Sequence, residues 1–200
     1  MDGRETPPHP GRQLELVEFT CNGEPAAVAV PSHWTLLEML RYGLGLTGTK
    51  QGCDKGDCGT CTIILDGQPA LACLTLALSA RGRFVQTVEG LGVGGQPHPL
   101  QAAFARLGAA QCGFCTPGML MSASAHIEDA VVQGFAVTAE SVSQALAGNL
   151  CRCTGYTKIV QAVVEAAKEI ARDSRAVDEA GMGSLADSDL SAAHQVGGRS

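Results

Sequence analysis

The chain has 200 residues, a formal net charge of -6 at pH 7 and 45% hydrophobic residues. That length provides one large domain or two small ones with a buried core, and the hydrophobic fraction excludes wholesale disorder. Aromatic residues make up only 4% of the chain, which together with the acidic balance argues against a nucleic-acid-binding surface. No apolar run is long enough to span a bilayer, so we expect no membrane span.

The first half of the chain is predicted to form a small mixed sheet with one main helix. The opening strand alternates apolar and polar side chains, as a half-buried strand does. The pairs Asn22-Gly23 and Asp66-Gly67 are hairpin signals, because these residues tolerate a positive φ. Thr35 can cap a short helix over residues 36–42, and residues 44–61 form a glycine-rich loop. Strands are predicted over residues 14–19, 26–30, 62–65, 71–74 and 84–88.

The second half of the chain is predicted to be all-helical. Pro117 favours the first position of a helix, because its fixed φ is already helical. Thr138 is suited to cap a later helix, and residues 158–172 place apolar side chains on one helical face. Helices are predicted over residues 100–107, 117–131, 140–147 and 158–172.

Changes in composition divide the chain into five segments. Residues 1–12 are polar and proline-rich, without the apolar stretch of a secretory signal or a twin-arginine pair, so we expect a flexible leader and a cytoplasmic protein. Residues 13–90 form the sheet domain, residues 91–95 the glycine-rich linker, and residues 96–172 the helical domain. Residues 173–200 are polar and small, which predicts a flexible tail or a partner-binding arm.

The nine cysteines are the outstanding feature of the composition, and eight of them fall into two groups of four. In a chain without an export signal, clustered cysteines more often hold a metal than form disulfides. Cys21 is left over and is interpreted as a packing residue. None of the five histidines lies in a nucleophile or zinc-protease motif, so we expect no catalytic residues.

The first group has the spacing C-x4-C-x2-C-x11-C, whose opening matches plant-type [2Fe-2S] ligation. Glycines in this loop allow backbone N–H groups to point at the bridging sulfides of a cluster. A zinc knuckle is the alternative, although only one C-x2-C hook of the kind that zinc prefers is present. The candidate ligands are Cys53, Cys58, Cys61 and Cys73.

The second group has the spacing C-x2-C-x35-C-x-C. Both pairs precede predicted helices, whose N-termini stabilise thiolates and anionic clusters. A C-x-C pair is an unusual hook for tetrahedral zinc, but the spacing alone leaves both a cluster and zinc open. The candidate ligands are Cys112, Cys115, Cys151 and Cys153.

Four short strings of sequence carry a family resemblance. They are GTKQGC at residues 48–53, CGTCT at 58–62, QCGFCTPGM at 111–119 and GNLCRCTGY at 148–156. Together they resemble the iron–sulfur small subunit of the molybdenum hydroxylases, a family that includes xanthine dehydrogenase, aldehyde oxidase, bacterial carbon monoxide dehydrogenase and 4-hydroxybenzoyl-CoA reductase. The resemblance covers about residues 13–172 and implies an α+β fold, with an N-terminal β-grasp (plant-type ferredoxin-like) domain followed by an all-α four-helix [2Fe-2S]-binding domain.

The same resemblance implies an electron-transfer role with two [2Fe-2S] clusters. Electrons would pass between a large molybdopterin-containing catalytic subunit and a medium FAD subunit or another acceptor, in a complex expected as a dimer of heterotrimers. Gln111 and Cys153 match positions close to the pterin of the large subunit. The run at residues 46–54 is most similar to subunits that act on aromatic or heteroaromatic compounds.

Two other functions compete with this interpretation. The chain could be a free two-cluster ferredoxin-like electron carrier that visits several partners. It could also be a zinc-stapled scaffold without redox chemistry. If the apolar turn Met119–Met121 beside the second group is exposed, it favours a permanent partner over the free carrier.

Overall fold

The computed structural model describes residues 14–186. The predicted leader at residues 1–12 and the final part of the predicted tail, residues 187–200, lie outside the described residues. The described strands are β1 (Leu14–Cys21), β2 (Glu24–Pro31), β3 (Thr62–Leu65), β4 (Gln68–Leu71) and β5 (Phe84–Gln86).

These strands form one sheet in the spatial order β2-β1-β5-β3-β4. The central strands β1 and β5 are parallel, and the other neighbouring strands are antiparallel. A short helix, α1 (Leu36–Glu38), begins at a capping box formed by Thr35 and Glu38 and continues as a π-helical turn over Met39–Gly43. The first domain is therefore the predicted β-grasp domain.

Two tight turns set the register of the sheet. Asn22 and Gly23 have φ values of 52° and 86°, and Asp66 and Gly67 have values of 50° and 79°, so the structure confirms both hairpins. The strand predicted over residues 71–74 is wrong, because the two-residue turn pairs Leu65 directly with Gln68 and β4 ends at Leu71. β4 is an edge strand, which explains why it tolerates a proline.

Four helices form the second domain, as predicted. The last helix is longer than the predicted 158–172, because single glycine and serine residues weaken a helix by about 1 kcal/mol or less each without ending it. The first part of the predicted tail is therefore helical as far as Ala186. The helices are α2 (Pro99–Leu107), α3 (Thr116–Gln133), α4 (Ala139–Ala145) and α5 (Thr157–Ala186).

Strand β3 joins the cores of the two domains, because all four of its residues are buried. Ile63 and Leu65 pack with α1 in the core of the sheet domain, whereas Ile64 packs with α3 in the core of the helical domain. The linker therefore connects two domains that already share a strand. Over residues 14–186, no helix is long and apolar enough to cross a membrane.

Candidate metal centres

The first four-cysteine group surrounds the loop that leads into β3. Cys53 and Cys58 lie in this loop, Cys61 lies immediately before β3, and Cys73 follows the end of β4. The side chains of Cys53 and Cys58 interact directly, and those of Cys61 and Cys73 do the same. The structure therefore brings all four predicted ligands together as two close pairs of thiols.

The backbone of this loop leaves space beside the sulfurs and points donors at them. The Lys55 N–H donates a hydrogen bond to the Cys53 Sγ, with an N···S distance of 3.4 Å. A Cβ at Gly52 would lie 2.9 Å from the Cys58 Sγ and 2.7 Å from the Cγ2 of Thr60, so only glycine fits there. Open space and N–H donors around thiolates are what an anionic iron–sulfur cluster requires.

Hydrogen bonding and burial shift the pKa values of these thiols in opposite directions. The Lys55 N–H, helped by the thiol of Cys58, lowers the pKa of Cys53 to about 7. Burial raises the pKa of Cys58 and raises that of Cys61 to about 12. The Cys53 thiol therefore ionises more readily near pH 7 than an ordinary thiol, whereas burial disfavours the thiolate form of Cys61.

The second four-cysteine group is gathered from two separate loops of the helical domain. Cys112 and Cys115 lie in the turn before α3, and Cys115 is the residue that caps this helix. Cys151 and Cys153 lie in the loop before α5. The Sγ atoms of Cys112 and Cys153 are 3.6 Å apart, and the side chains of Cys115 and Cys151 also interact directly. This group is again two close pairs.

The second group shows the same division between thiols of lowered pKa and thiols of raised pKa. The Phe114 N–H lowers the pKa of Cys112, and the neighbouring Cys112 raises the pKa of Cys153. Burial raises the pKa of Cys115 to about 12. Burial also acts on Cys151, but hydrogen bonds from the hydroxyl and N–H of Thr154 outweigh it and lower the pKa of Cys151 to about 7.

This paired arrangement fits a binuclear cluster. A [2Fe-2S] cluster has two irons, and each iron takes two thiolates, so two close pairs supply one pair for each iron. A zinc ion would need four ligands converging on one point. Among the side chains that the structure describes, no three His, Cys, Asp or Glu groups lie close enough together to hold a single metal ion.

The two groups are connected by a short contact that we call the inter-site seam, formed by residues 58–60 with Phe114 and residues 148–150. The Leu150 N–H donates to the carbonyl oxygen of Cys58 at 2.9 Å, and the hydroxyl of Thr60 donates to the carbonyl oxygen of Phe114 at 3.0 Å. Leu150 directly precedes Cys151 in the chain. The path from Cys58 to Cys151 therefore consists of covalent bonds and a single hydrogen bond.

The structure places the remaining predicted residues as follows. Gln111 is exposed and directly precedes Cys112, whose sulfur contacts that of Cys153 on the same exposed edge. Cys21 packs in the core of the sheet domain, where burial raises its pKa to about 11. The side chains of Met119–Met121 are buried against the other helices, so the condition of exposure is not met and this turn does not argue for a permanent partner.

Sequence reasoning missed Asn149, although this residue lies within a quoted string. Asn149 is buried and its side-chain amide donates to the carbonyl oxygen of Gly59 at 2.8 Å across the seam. The sequence alone does not show whether an asparagine at this position, two residues before Cys151, is buried or exposed. Only the three-dimensional contact shows its partner.

Two cysteine groups on a β-grasp domain and a four-helix domain define the class of two-site iron–sulfur proteins. Two family models match the chain: "2Fe-2S iron-sulfur cluster binding domain" over residues 19–80 and "[2Fe-2S] binding domain" over residues 87–164. The chain is also 47% identical over 165 residues to the nicotine 6-hydroxylase small subunit of Paenarthrobacter nicotinovorans, covering 82% of this chain and 96% of that protein.

Solved structures give the same result. The chain resembles a chain of quinoline 2-oxidoreductase from Pseudomonas putida 86 with 45% identity and a TM-score of 0.75, covering 80% of this chain and 98% of that one. It resembles aldehyde oxidoreductase from Desulfovibrio desulfuricans ATCC 27774 with 41% identity and a TM-score of 0.74, covering 78% of this chain but 17% of that one. The chain belongs to the family of [2Fe-2S] small subunits of the molybdenum hydroxylases, and it is an iron–sulfur subunit of an oxidoreductase complex.

Proposed function

We propose that this chain holds two [2Fe-2S] clusters and conducts electrons between a molybdopterin-containing catalytic subunit and a medium FAD subunit or another acceptor. When bound, a [2Fe-2S] cluster accepts and donates one electron at a time. The proposed ligands are Cys53, Cys58, Cys61 and Cys73 for the first cluster, and Cys112, Cys115, Cys151 and Cys153 for the second.

The inter-site seam is the observation that carries this proposal. Cys58 of the first group and Cys151 of the second are joined by the hydrogen bond from the Leu150 N–H to the Cys58 carbonyl oxygen. A chain that only needed metal for stability would gain nothing from placing its two metal groups so close together. A chain that conducts electrons needs a short, continuous path of bonds between them.

The residues around each group hold the charge of a bound cluster. The N–H groups of Lys55 and Phe114 donate to Cys53 and Cys112, which favours the thiolate form of both cysteines. Burial of Cys61 excludes water from the inner side of the first site. Hydrogen bonds to sulfur and the exclusion of water are the means by which a protein sets a cluster's reduction potential.

The exposed edge of the second site suits contact with the catalytic subunit. Cys112 and Cys153 are exposed there, and the amide of Gln111 beside them can both donate and accept hydrogen bonds, as the edge of a pterin requires. We therefore assign Gln111 and Cys153 to contact with the molybdopterin of the partner. Neither residue contributes a catalytic group.

The names of the relatives indicate a substrate class for the whole complex. The relatives described above are named for nicotine and quinoline, which are nitrogen-containing aromatic compounds. The aldehyde oxidoreductase carries a similar region as 17% of one longer chain, which supports a large catalytic partner for the present chain. We propose a cytoplasmic complex, assembled as a dimer of heterotrimers, that acts on an aromatic or heteroaromatic compound.

Low-temperature electron paramagnetic resonance (EPR) with spin counting tests the proposal on the natively purified complex, reduced with dithionite. Two distinct spin-half signals, near two spins for each copy of this chain, are the expected result. A single signal would confine iron to one group and contradict the two-cluster function. No signal, together with bound zinc, would establish the zinc-stapled scaffold, and purification of the chain without partners would establish the free carrier.

A further inference from the structure

Asn149 is one of the few buried polar residues among the described residues, with 4% of its surface exposed. Its side-chain Nδ2 donates to the carbonyl oxygen of Gly59 at 2.8 Å and lies 3.4 Å from the hydroxyl oxygen of Thr62. Its Oδ1 accepts a hydrogen bond from the hydroxyl of Ser122 on α3 at 2.8 Å. One amide therefore connects the loop before β3, the strand β3 and the helix α3.

The backbone of Asn149 is held equally firmly. Its N–H donates to the carbonyl oxygen of Leu146 at 2.9 Å, and its carbonyl oxygen accepts from the hydroxyl of Tyr156 at 3.1 Å. The same Tyr156 hydroxyl accepts a hydrogen bond from the N–H of Cys151 at 2.8 Å. Asn149 is thus fixed relative to a proposed ligand of the second cluster, and a displacement of one would move the other.

The chain segments at the seam approach as closely as backbone atoms allow. A Cβ at Gly59 would lie 2.7 Å from the Nδ2 and 2.9 Å from the Cα of Asn149, so residue 59 must be glycine. A Cβ at Gly118 would lie 2.9 Å from the Cα of Thr60. These contacts set the minimum separation of the two loops, but repulsion between atoms cannot keep the loops together. The Asn149 amide supplies directional attraction, beside the hydrogen bond from the Leu150 N–H to the Cys58 carbonyl oxygen.

We propose that Asn149 is a positioning residue that fixes the separation and relative orientation of the two clusters. It does so by holding the Gly59 carbonyl, between two proposed ligands of the first cluster, against the loop that carries Cys151. The inference rests on the proposed two-cluster function. Asn149 touches neither cluster's ligands directly with its side chain in this arrangement and acts through Gly59.

Replacing Asn149 with alanine should loosen the seam without unfolding the protein. The Gly59 carbonyl oxygen keeps a donor, because the hydroxyl of Thr62 lies 2.6 Å from it. The loss of the amide leaves the hydrogen bond from the Leu150 N–H to the Cys58 carbonyl oxygen between the two loops. A single buried hydrogen bond contributes little beside the packing of each domain, so the seam can then open locally while the domains stay folded.

The experiment uses the complete complex with Asn149→Ala in this chain. The readout is the magnetic splitting between the two reduced clusters, measured by EPR at low temperature, because dipolar coupling weakens with the cube of the distance between the spins. We expect the splitting to narrow or disappear, while the iron content and the intrinsic signal of each cluster persist. Thr138→Ala is the matched control, since it removes a helix cap in the same domain away from the seam.

The possible results of this experiment separate the positioning role of Asn149 from the proposed function. An unchanged splitting in Asn149→Ala, or an equal change in Thr138→Ala, overturns the positioning role. A wild-type complex with both signals but no splitting also overturns it, while leaving the proposed function intact. A wild-type complex with fewer than two clusters overturns the proposed function itself. If the alanine variant does not assemble, Asn149→Asp, which keeps the shape but replaces the donor with an acceptor, is judged by the same criteria.

Discussion

The two four-cysteine groups offer the same ligands but are built by different means. The first group lies on one loop and the hairpin that follows it, so nearby residues bring its four thiols together. The second group combines a turn before α3 with a loop before α5, and the helices α3 and α4 lie between them in the chain. The geometry of the first group is therefore set locally, whereas that of the second depends on the packing of the helical domain.

The groups also differ in exposure. Cys61 and Cys73 of the first group are buried, whereas Cys112 and Cys153 of the second are exposed. The exposed pair lies beside Gln111, where contact with a partner is proposed. The fold of this chain buries half of the first site, whereas the exposed half of the second site is left for the proposed partner to cover.

The largest expected effect comes from removing one ligand of the second group. Cys112→Ser should abolish turnover of the complex and leave the EPR signal of the first cluster in place, because the two groups share no ligand. Cys21→Ala is the control, since Cys21 packs in the sheet-domain core and should leave both signals present. Full activity in Cys112→Ser would contradict the proposed electron route.

A smaller effect is expected from adding a methyl group at the inter-site seam, where there is no space for it. Gly59→Ala should lower the free energy of unfolding by more than about 3 kcal/mol, because a Cβ would collide with the carbonyl oxygen of Gly148 and with Asn149. Gly67→Ala is matched, since Gly67 also has a positive φ but has open space around it, and should cost only about 1 kcal/mol. Thermal denaturation of both variants measures the difference; equal losses would show that the close approach contributes nothing.

Each domain has a helix that begins at a threonine cap. Thr35→Ala and Thr138→Ala should each cost about 1 kcal/mol, because each removes a side chain that accepts a backbone N–H at the start of a helix. Iron release to a chelator, followed through the two cluster signals, should accelerate at the first site in Thr35→Ala and at the second in Thr138→Ala. The same order of release in both variants would indicate that the domains open as one unit.

The smallest effect concerns pH and the start of α2. The Nδ1 of His98 accepts the N–H of Leu100 at 3.2 Å. Burial lowers the pKa of His98 from its ordinary value of 6.5, against the opposing charge of Glu128. Folding thus favours neutral His98, so its stabilising effect is complete above pH 6.5 and is lost as the pH falls below that value toward the lowered pKa.

His98→Asn tests this cap, because asparagine also caps helices but does not titrate. As the pH is lowered from about 7.5 to about 5.5, the free energy of unfolding of the wild type should fall relative to that of the variant by less than about 1 kcal/mol. Thermal denaturation at each pH measures this difference. A constant difference between the two proteins across this range would show that His98 does not titrate with unfolding.

Local rules were sufficient for much of the fold. The Asn22-Gly23 and Asp66-Gly67 turns and the Thr138 cap follow from the backbone preferences of those residues, and all three are present. The predicted strand at residues 71–74 is wrong, because β4 starts directly after the turn and, as an edge strand, accommodates Pro69. The length of α5 was missed because helix-weakening residues were read as a helix end.

The candidate sites were likewise predictable from the sequence only in part. Spacing predicted which cysteines group together, and the structure brings each group of four together as pairs. Spacing could not reveal the seam, since the contact between Asn149 and Gly59 joins residues far apart in the chain. The burial of Met119–Met121 was likewise invisible, because an apolar run is compatible with either a surface turn or a core helix.

Strand β3 limits how this protein can be rearranged. Ile63 and Leu65 face one core while Ile64 faces the other, so neither half has a complete core without the strand between them. A chimera that exchanged the helical half with that of a relative, cutting at the linker, would set a foreign α3 against this Ile64. The two halves are therefore poorly interchangeable building blocks, and hybrid subunits will need matched side chains on both faces of β3.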